Sequence, residues 1–253
     1  MTVLKLLLVR HGQSVGNAEG RMEGTSSTGL TPLGEQQSRQ LGQHLADIDW
    51  QPTHLYCSPL ARATATLAWL ISGFKEARPG DPESPARLPN LFGAGELARQ
   101  VTLIPGQAIS IDLRDDLKEY NSGIFTGLTW AEASQRHPDL CHQLETSLDW
   151  LPIPEAETLE AGQARAQRVV DRLIDPHRSG DRILVVSHQW ILQQIIARLL
   201  GCDRAWGLPM ANTACFEFWV DRDRWHDTGP NRLNTELWRI KQFNATPHLQ
   251  GQR

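Results

Sequence analysis

The sequence predicts an α/β fold: a three-layer α/β/α sandwich whose central sheet is mostly parallel and flanked by helices. Three observations carry this. Short apolar segments alternate with helical ones along the chain, which is the pattern of a layered α/β protein. Two of the segments, Leu6–Val9 and Ile183–Val186, are continuous apolar runs, as expected of strands buried on both faces. The 253 residues, 40% of them hydrophobic, suffice for one sizeable core, so a single domain over 1–253 is expected.

The first strand ends abruptly in Arg10-His11-Gly12. Open α/β sheets bind ligands beyond the carboxyl ends of their strands. This strand therefore delivers a cation and an imidazole to the ligand end. Gly12 allows a sharp turn and a close approach, and Ser14 and Asn17 return a hydroxyl and an amide to the same point. Thr31 and Pro32 read as cap and first position of a helix to about Asp47, with Leu33, Leu41 and Leu45 facing inward. His54–Cys57 is a short strand. Ser58-Pro59 reads as a second cap and first position, for a helix over Leu60–Leu70 that carries Arg62 in its first turn. The Pro- and Gly-rich stretch from Gly73 to Gln107 (73–107) predicts a long irregular insertion, either an active-site lid or a solvated elaboration.

Ile109–Leu113 reads as a third strand, and Thr129 with Glu132 as a capping box opening a short helix. Thr158–Ile174 is a longer amphipathic helix. Arg182–Ser187 is the second strongly apolar strand, and it too ends in a histidine, His188. A helix over Ile191–Leu200 and strands over Cys215–Val220 and Glu236–Ile240 complete the pattern.

The formal charge of -4 and pI near 6.1 point away from nucleic acid. No apolar run approaches membrane-spanning length, and the first residues lack a signal-peptide layout, so no membrane partner is expected. Cys57, Cys141, Cys202 and Cys215 are scattered without a C-x-x-C pair, as in reduced thiols of a cytoplasmic protein. No cluster of carboxylates or cysteines has metal-ligand spacing, so neither a metal nor a cofactor is expected. No pattern specifies an oligomeric state.

Two apolar strands that each deliver a histidine are more specific than either alone. With the pieces around them, the chain resembles the histidine phosphatase superfamily, in its branch with the Arg-His-Gly motif and the phosphoglycerate-mutase-like fold. The matching pieces are Arg10-His11-Gly12 with Ser14, Asn17 and Arg21; Leu30–Gly34; Ser58–Ala63; Leu117-x-Glu119 with Gly123 and Gly127; Glu157–Leu159 followed by Arg165; Val185–His188; and Asn212-Thr213. They occur in family order and leave only the insertion uncovered.

The resemblance implies a metal-independent phosphomonoesterase acting on a small phosphorylated metabolite, a sugar phosphate or phospho-acid. It implies that His11 attacks phosphorus and forms a phosphohistidine. Arg10 and Arg62 supply fixed cations for a transition state that spreads charge over three oxygens. His188, Asn17 and a backbone N–H at Gln189 add donors, and Glu119 acts as acid and then base. Asp112, Asp115 and Asp116 stand close enough in sequence to be alternatives to Glu119. Arg21 and Arg165 are either substrate-facing or structural, and Ser14, Glu23, Gly24 and Asn212 are further candidates for substrate contact.

One departure is notable. Gln189-Trp190 stands where the family usually has glycine after its second histidine, and these side chains are expected to narrow the pocket. The runner-up is a cofactor-dependent phosphoglycerate mutase. Against it, the stretch Trp130–Glu157 holds only Arg136 where the mutases carry a lysine and paired arginines, and Glu23 stands where they have a small hydroxyl residue. A weakly active relative that senses a phosphorylated ligand is a further alternative.

Overall fold

The computed structural model describes residues 2–26, 28–77, 100–104, 107–202, 207–227 and 238–249. Its strands are β1 (Leu4–Arg10), β2 (His54–Cys57), β3 (Gln100–Ile104), β4 (Gln107–Leu113), β5 (Arg182–Ser187), β6 (Cys215–Val220) and β7 (Trp238–Ala245). Its helices are α1 (Val15–Ala18), α2 (Pro32–Asp47), α3 (Ala61–Glu76), α4 (Trp130–Arg136), α5 (Pro138–Thr146), α6 (Leu159–Ile174) and α7 (Gln189–Leu199).

The strands form one sheet in the order β3-β4-β2-β5-β1-β6-β7. The central four, β4-β2-β5-β1, run parallel, and β3, β6 and β7 are antiparallel to their neighbours at the two sides. The apolar run of β1 divides between two cores because successive side chains point to opposite faces. Leu4, Leu6 and Leu8 meet α6 and α7 on one face. Leu7 and Val9 meet α2 and α3 on the other. This gives the expected three layers. A satellite cluster under α4 and α5, around Phe125, Leu128, Ala133 and Cys141, lies beside the main cores.

Several local expectations shift. Thr31 caps α2 as read, its hydroxyl accepting from the Gly34 N–H, but Leu33 at the second position points out and is 42% exposed. Ser58 does not cap α3. Leu60 holds the cap position, the helix starts at Ala61, and it runs on to Glu76. The expected irregular stretch is therefore helical at its start and returns as β3 at Gln100. Residues 78–99 and 105–106, on which the lid expectation chiefly falls, lie outside the described residues. The helix α5 was not legible, and α7 begins at Gln189, directly after its cap residue His188. Among the described residues no helix is long and apolar enough to cross a membrane.

Candidate active site

The register of the parallel strands builds the site. Arg10 pairs opposite Ser187, and the His11 N–H donates to the Ser187 carbonyl at 2.9 Å. The next residues, His11 and His188, therefore emerge side by side, with ring centroids 5.0 Å apart. The Cys57–Val186 pairing brings Ser58 to the same edge, where its Oγ lies 2.7 Å from His188 Nε2. The turn that releases His11 depends on close backbone approach. A Cβ at Gly12 would stand 2.5 Å from the Gly34 carbonyl oxygen, and one at Gly34 would stand 2.1 Å from that of Gln13. Gly12 N–H donates to Thr66 on α3.

The residues beyond these strand ends line a cleft of about 330 Å³. His11 is 3% exposed and opens onto it, and its Nδ1 lies 2.7 Å from the Gly12 carbonyl oxygen. A carbonyl can only accept, so Nδ1 carries the proton and Nε2 keeps the lone pair. Burial, and then the charges of Arg62 and Arg10, hold the His11 pKa well below the usual histidine value. His188 is wholly buried and held low in the same way, by burial first and then by His11, Arg62 and Arg10. It stands behind His11 and does not line the cleft, and its Nδ1 has no partner among the described residues.

Arg10 and Arg62 both line the cleft. Arg10 is held by the Met210 carbonyl and by Asn17 Oδ1. Arg62 is 1% exposed and donates to the carbonyls of Ser26 at 2.6 Å and Gly24 at 2.7 Å. The Nε groups of both arginines are buried without a hydrogen-bond partner among the described residues.

Glu23 is a further candidate for substrate contact. It is 6% exposed, lines the cleft, and accepts from Ser14 at 2.5 Å, from Asn17 Nδ2 at 3.2 Å and from Thr28. Its carboxylate stands 3.8 Å from Arg62 Nε. Ser14 is buried and off the cleft. It caps α1 and donates to Glu23. Asn212 is also off the cleft: its Nδ2 donates to the His11 carbonyl at 3.2 Å and to Asn17 Oδ1 at 2.9 Å, so it braces the site from behind.

Glu119 lines the cleft and rests on the start of α7. Its Oε1 accepts from the backbone N–H groups of Trp190 at 3.1 Å, Ile191 at 3.4 Å and Tyr120 at 2.9 Å. The departure from glycine at Gln189-Trp190 is thereby accommodated: both line the cleft, and the Trp190 N–H serves the carboxylate. Asp115 and Asp116 pair with Lys118 and Arg168, and Asp112 with Arg114, so Glu119 alone of these four lines the cleft.

Both arginines left open by the sequence are bound to protein groups. Arg165 pairs with both oxygens of Glu157 and donates to the carbonyls of Asp116 and Lys118, which fixes the segment leading to Glu119. Arg21 lies at the cleft but is paired with Glu19 and Glu132. Sequence reasoning missed Ser58 and Tyr120. Ser58 carried a signal that could have found it, since it follows a parallel strand just as His11 and His188 do. Among the described residues no group of three His, Cys, Asp or Glu side chains is placed to hold a metal.

A family model for the histidine phosphatase superfamily (branch 1) matches residues 6–80 and 96–231. The chain belongs to that superfamily. It is a phosphoric monoester hydrolase by that membership. The metal-independent phosphoserine phosphatase of Arabidopsis thaliana is 24% identical over 80% of this chain and 71% of its own. A probable phosphoglycerate mutase of Erwinia tasmaniensis is 26% identical over 79% of this chain and 76% of its own. Among solved structures, the protein YhfR of Bacillus stearothermophilus superposes with a TM-score of 0.69 at 22% identity, over 97% of this chain and 98% of that one. This likeness establishes the phosphoglycerate-mutase-like fold.

Proposed function

We infer that this histidine phosphatase hydrolyses a small phosphorylated metabolite through a phosphohistidine on His11, without a metal ion. The observation that carries the reading is the state of His11. Burial and the two guanidiniums hold its pKa well below the usual histidine value, its Nδ1–H is tied to Gly12, and it opens onto a cleft flanked by those guanidiniums. A neutral imidazole with a fixed tautomer is a nucleophile, and planar, permanently charged arginines suit the equatorial oxygens of phosphorus in transfer.

In the reading, Arg10 and Arg62 bind two oxygens of the phosphoryl group. His188, with Ser58 on its Nε2, lies beside the His11 ring and backs the nucleophile. His11 Nε2 attacks phosphorus, the P–O bond to the alcohol breaks, and Glu119 passes a proton to the departing oxygen. Glu119 then takes a proton from water, which attacks phosphorus. The P–N bond breaks, releasing phosphate and the neutral histidine. Asn17, Glu23 and Gly24 position the arginines. Four free cysteines, Cys57, Cys141, Cys202 and Cys215, support a cytoplasmic enzyme.

Hydrolysis is favoured over phosphoryl return because a mutase must hold the carboxylate of its released acid. Arg21, the further cation at this cleft among the described residues, already faces two carboxylates. Rapid-quench mixing with 4-nitrophenyl phosphate in chelator is the test. The expected result is an acid-labile, base-stable phosphoenzyme that is lost in His11→Ala. Full activity in that variant, or 2-phosphoglycerate formed from 3-phosphoglycerate and 2,3-bisphosphoglycerate faster than phosphate is released, overturns the reading.

A further inference from the structure

Beyond the phosphate-binding groups, the cleft is walled by aromatic rings. Tyr120 and Trp190 both line it, with ring centroids 4.8 Å apart. Trp150 does not line the cleft but adjoins both rings, 5.9 Å from Tyr120 and 6.2 Å from Trp190, and is 44% exposed. The wall is fixed in place. The Trp190 indole lies against α6, where a Cβ at Gly162 would come within 2.1 Å of its Cη2. Its backbone N–H holds Glu119, and Tyr120 is the next residue after Glu119. The acid and two of the rings are therefore one rigid piece.

Charge points the same way. Arg21 is occupied by Glu19 and Glu132, and Met22, Ser122, Gln189 and Gln193, also at the cleft, are uncharged. Glu23 adds a carboxylate. A leaving group that brings its own carboxylate meets repulsion, whereas a flat uncharged ring meets faces and edges it can stack on.

We propose that Tyr120, Trp150 and Trp190 form a leaving-group subsite that selects phosphate monoesters of alcohols bearing an uncharged aromatic ring. The inference rests on the hydrolase reading: a leaving oxygen within reach of Glu119 carries its substituent against Tyr120 and Trp190. One stacked ring contributes about tenfold.

The test compares 2-phenylethyl phosphate with n-propyl phosphate, whose leaving alcohols have similar basicity, and with 3-phosphoglycerate. The expected kcat/KM for the phenylethyl ester exceeds that for the propyl ester by about tenfold and that for 3-phosphoglycerate by more. Trp150→Ala and Trp190→Ala bring the phenylethyl-to-propyl ratio towards one, and Trp190→Phe restores most of it. A ratio near one in the unaltered enzyme overturns the subsite, as does a high ratio that no ring substitution moves. Tryptophan fluorescence titrations with 2-phenylethylphosphonate and propylphosphonate read the same preference without turnover. Retained binding preference with no hydrolysis of any ester supports the subsite and sinks the hydrolase reading. Hydrolysis with no preference in either measurement does the reverse.

Discussion

Glu119 shows how a single side chain can be placed by backbone groups. Its Oε1 is held by three backbone N–H groups, two of them from the first turn of α7, and Arg165 clamps the carbonyls of the two residues on either side of Leu117. A general acid matters most when the departing oxygen is basic. Glu119→Gln is therefore expected to slow an alkyl phosphate by about 10²–10⁴ while slowing 4-nitrophenyl phosphate far less. Arg165→Lys cannot keep both the two-point contact with Glu157 and the two carbonyls, so it is expected to produce the same leaving-group signature at smaller size. In the double variant the two losses should not add, because Arg165 acts only through Glu119. Comparing kcat/KM for the two esters across the four proteins checks this, and additive losses would give Arg165 a separate role.

At the scale of elements, the turn after β1 is locked against the start of α2. The Gly34 carbonyl meets Gly12, Gly34 itself meets the Gln13 backbone, and the Thr31 N–H donates to the Gln13 carbonyl. Gly34→Ala puts a methyl where backbone already stands and is expected to cost about 3 kcal/mol of stability. Urea unfolding measures it as a lower midpoint with an unchanged slope. This locking also explains what was legible. The strands β1 and β5 and the caps Thr31 and Thr129 were readable because period and capping chemistry are local. Leu33 was misread because a helix's first turn can overhang the sheet. Ser58 was misread because a hydroxyl before proline fits a cap and a strand-end ligand equally well. Glu119 was favoured over its aspartate neighbours by the family pattern, but its seat on α7 comes from a contact across 71 residues that no local pattern encodes. The roles of Arg21 and Arg165 were undecidable for the same reason, since their partners are distant carbonyls and carboxylates.

For the molecule as a whole, four histidines are folded in with depressed pKa values. Burial is the main cause for each: His11 and His188 at the site, His177 beside His54, and His248, pushed down to about 4, beside His44. Their unfolded value is about 6.5. Below it the unfolded chain binds protons that the folded chain refuses, so stability is complete above about pH 6.5 and falls as the pH drops through the window towards 4. Denaturant midpoints measured from pH 7.5 to 4.5 should decline over that range, and His248→Gln should flatten part of the decline. The sheet order has a consequence of a different kind. The strand that delivers His11 lies between β5 and β6, which begin far downstream of it, at Arg182 and Cys215. At roughly 5–20 residues per second, a growing chain holds this strand of leucine and valine without either neighbour for roughly 10–40 s. The ribosome thus releases this apolar strand well before its neighbours, and the two histidines of the site can meet only after β5 has followed.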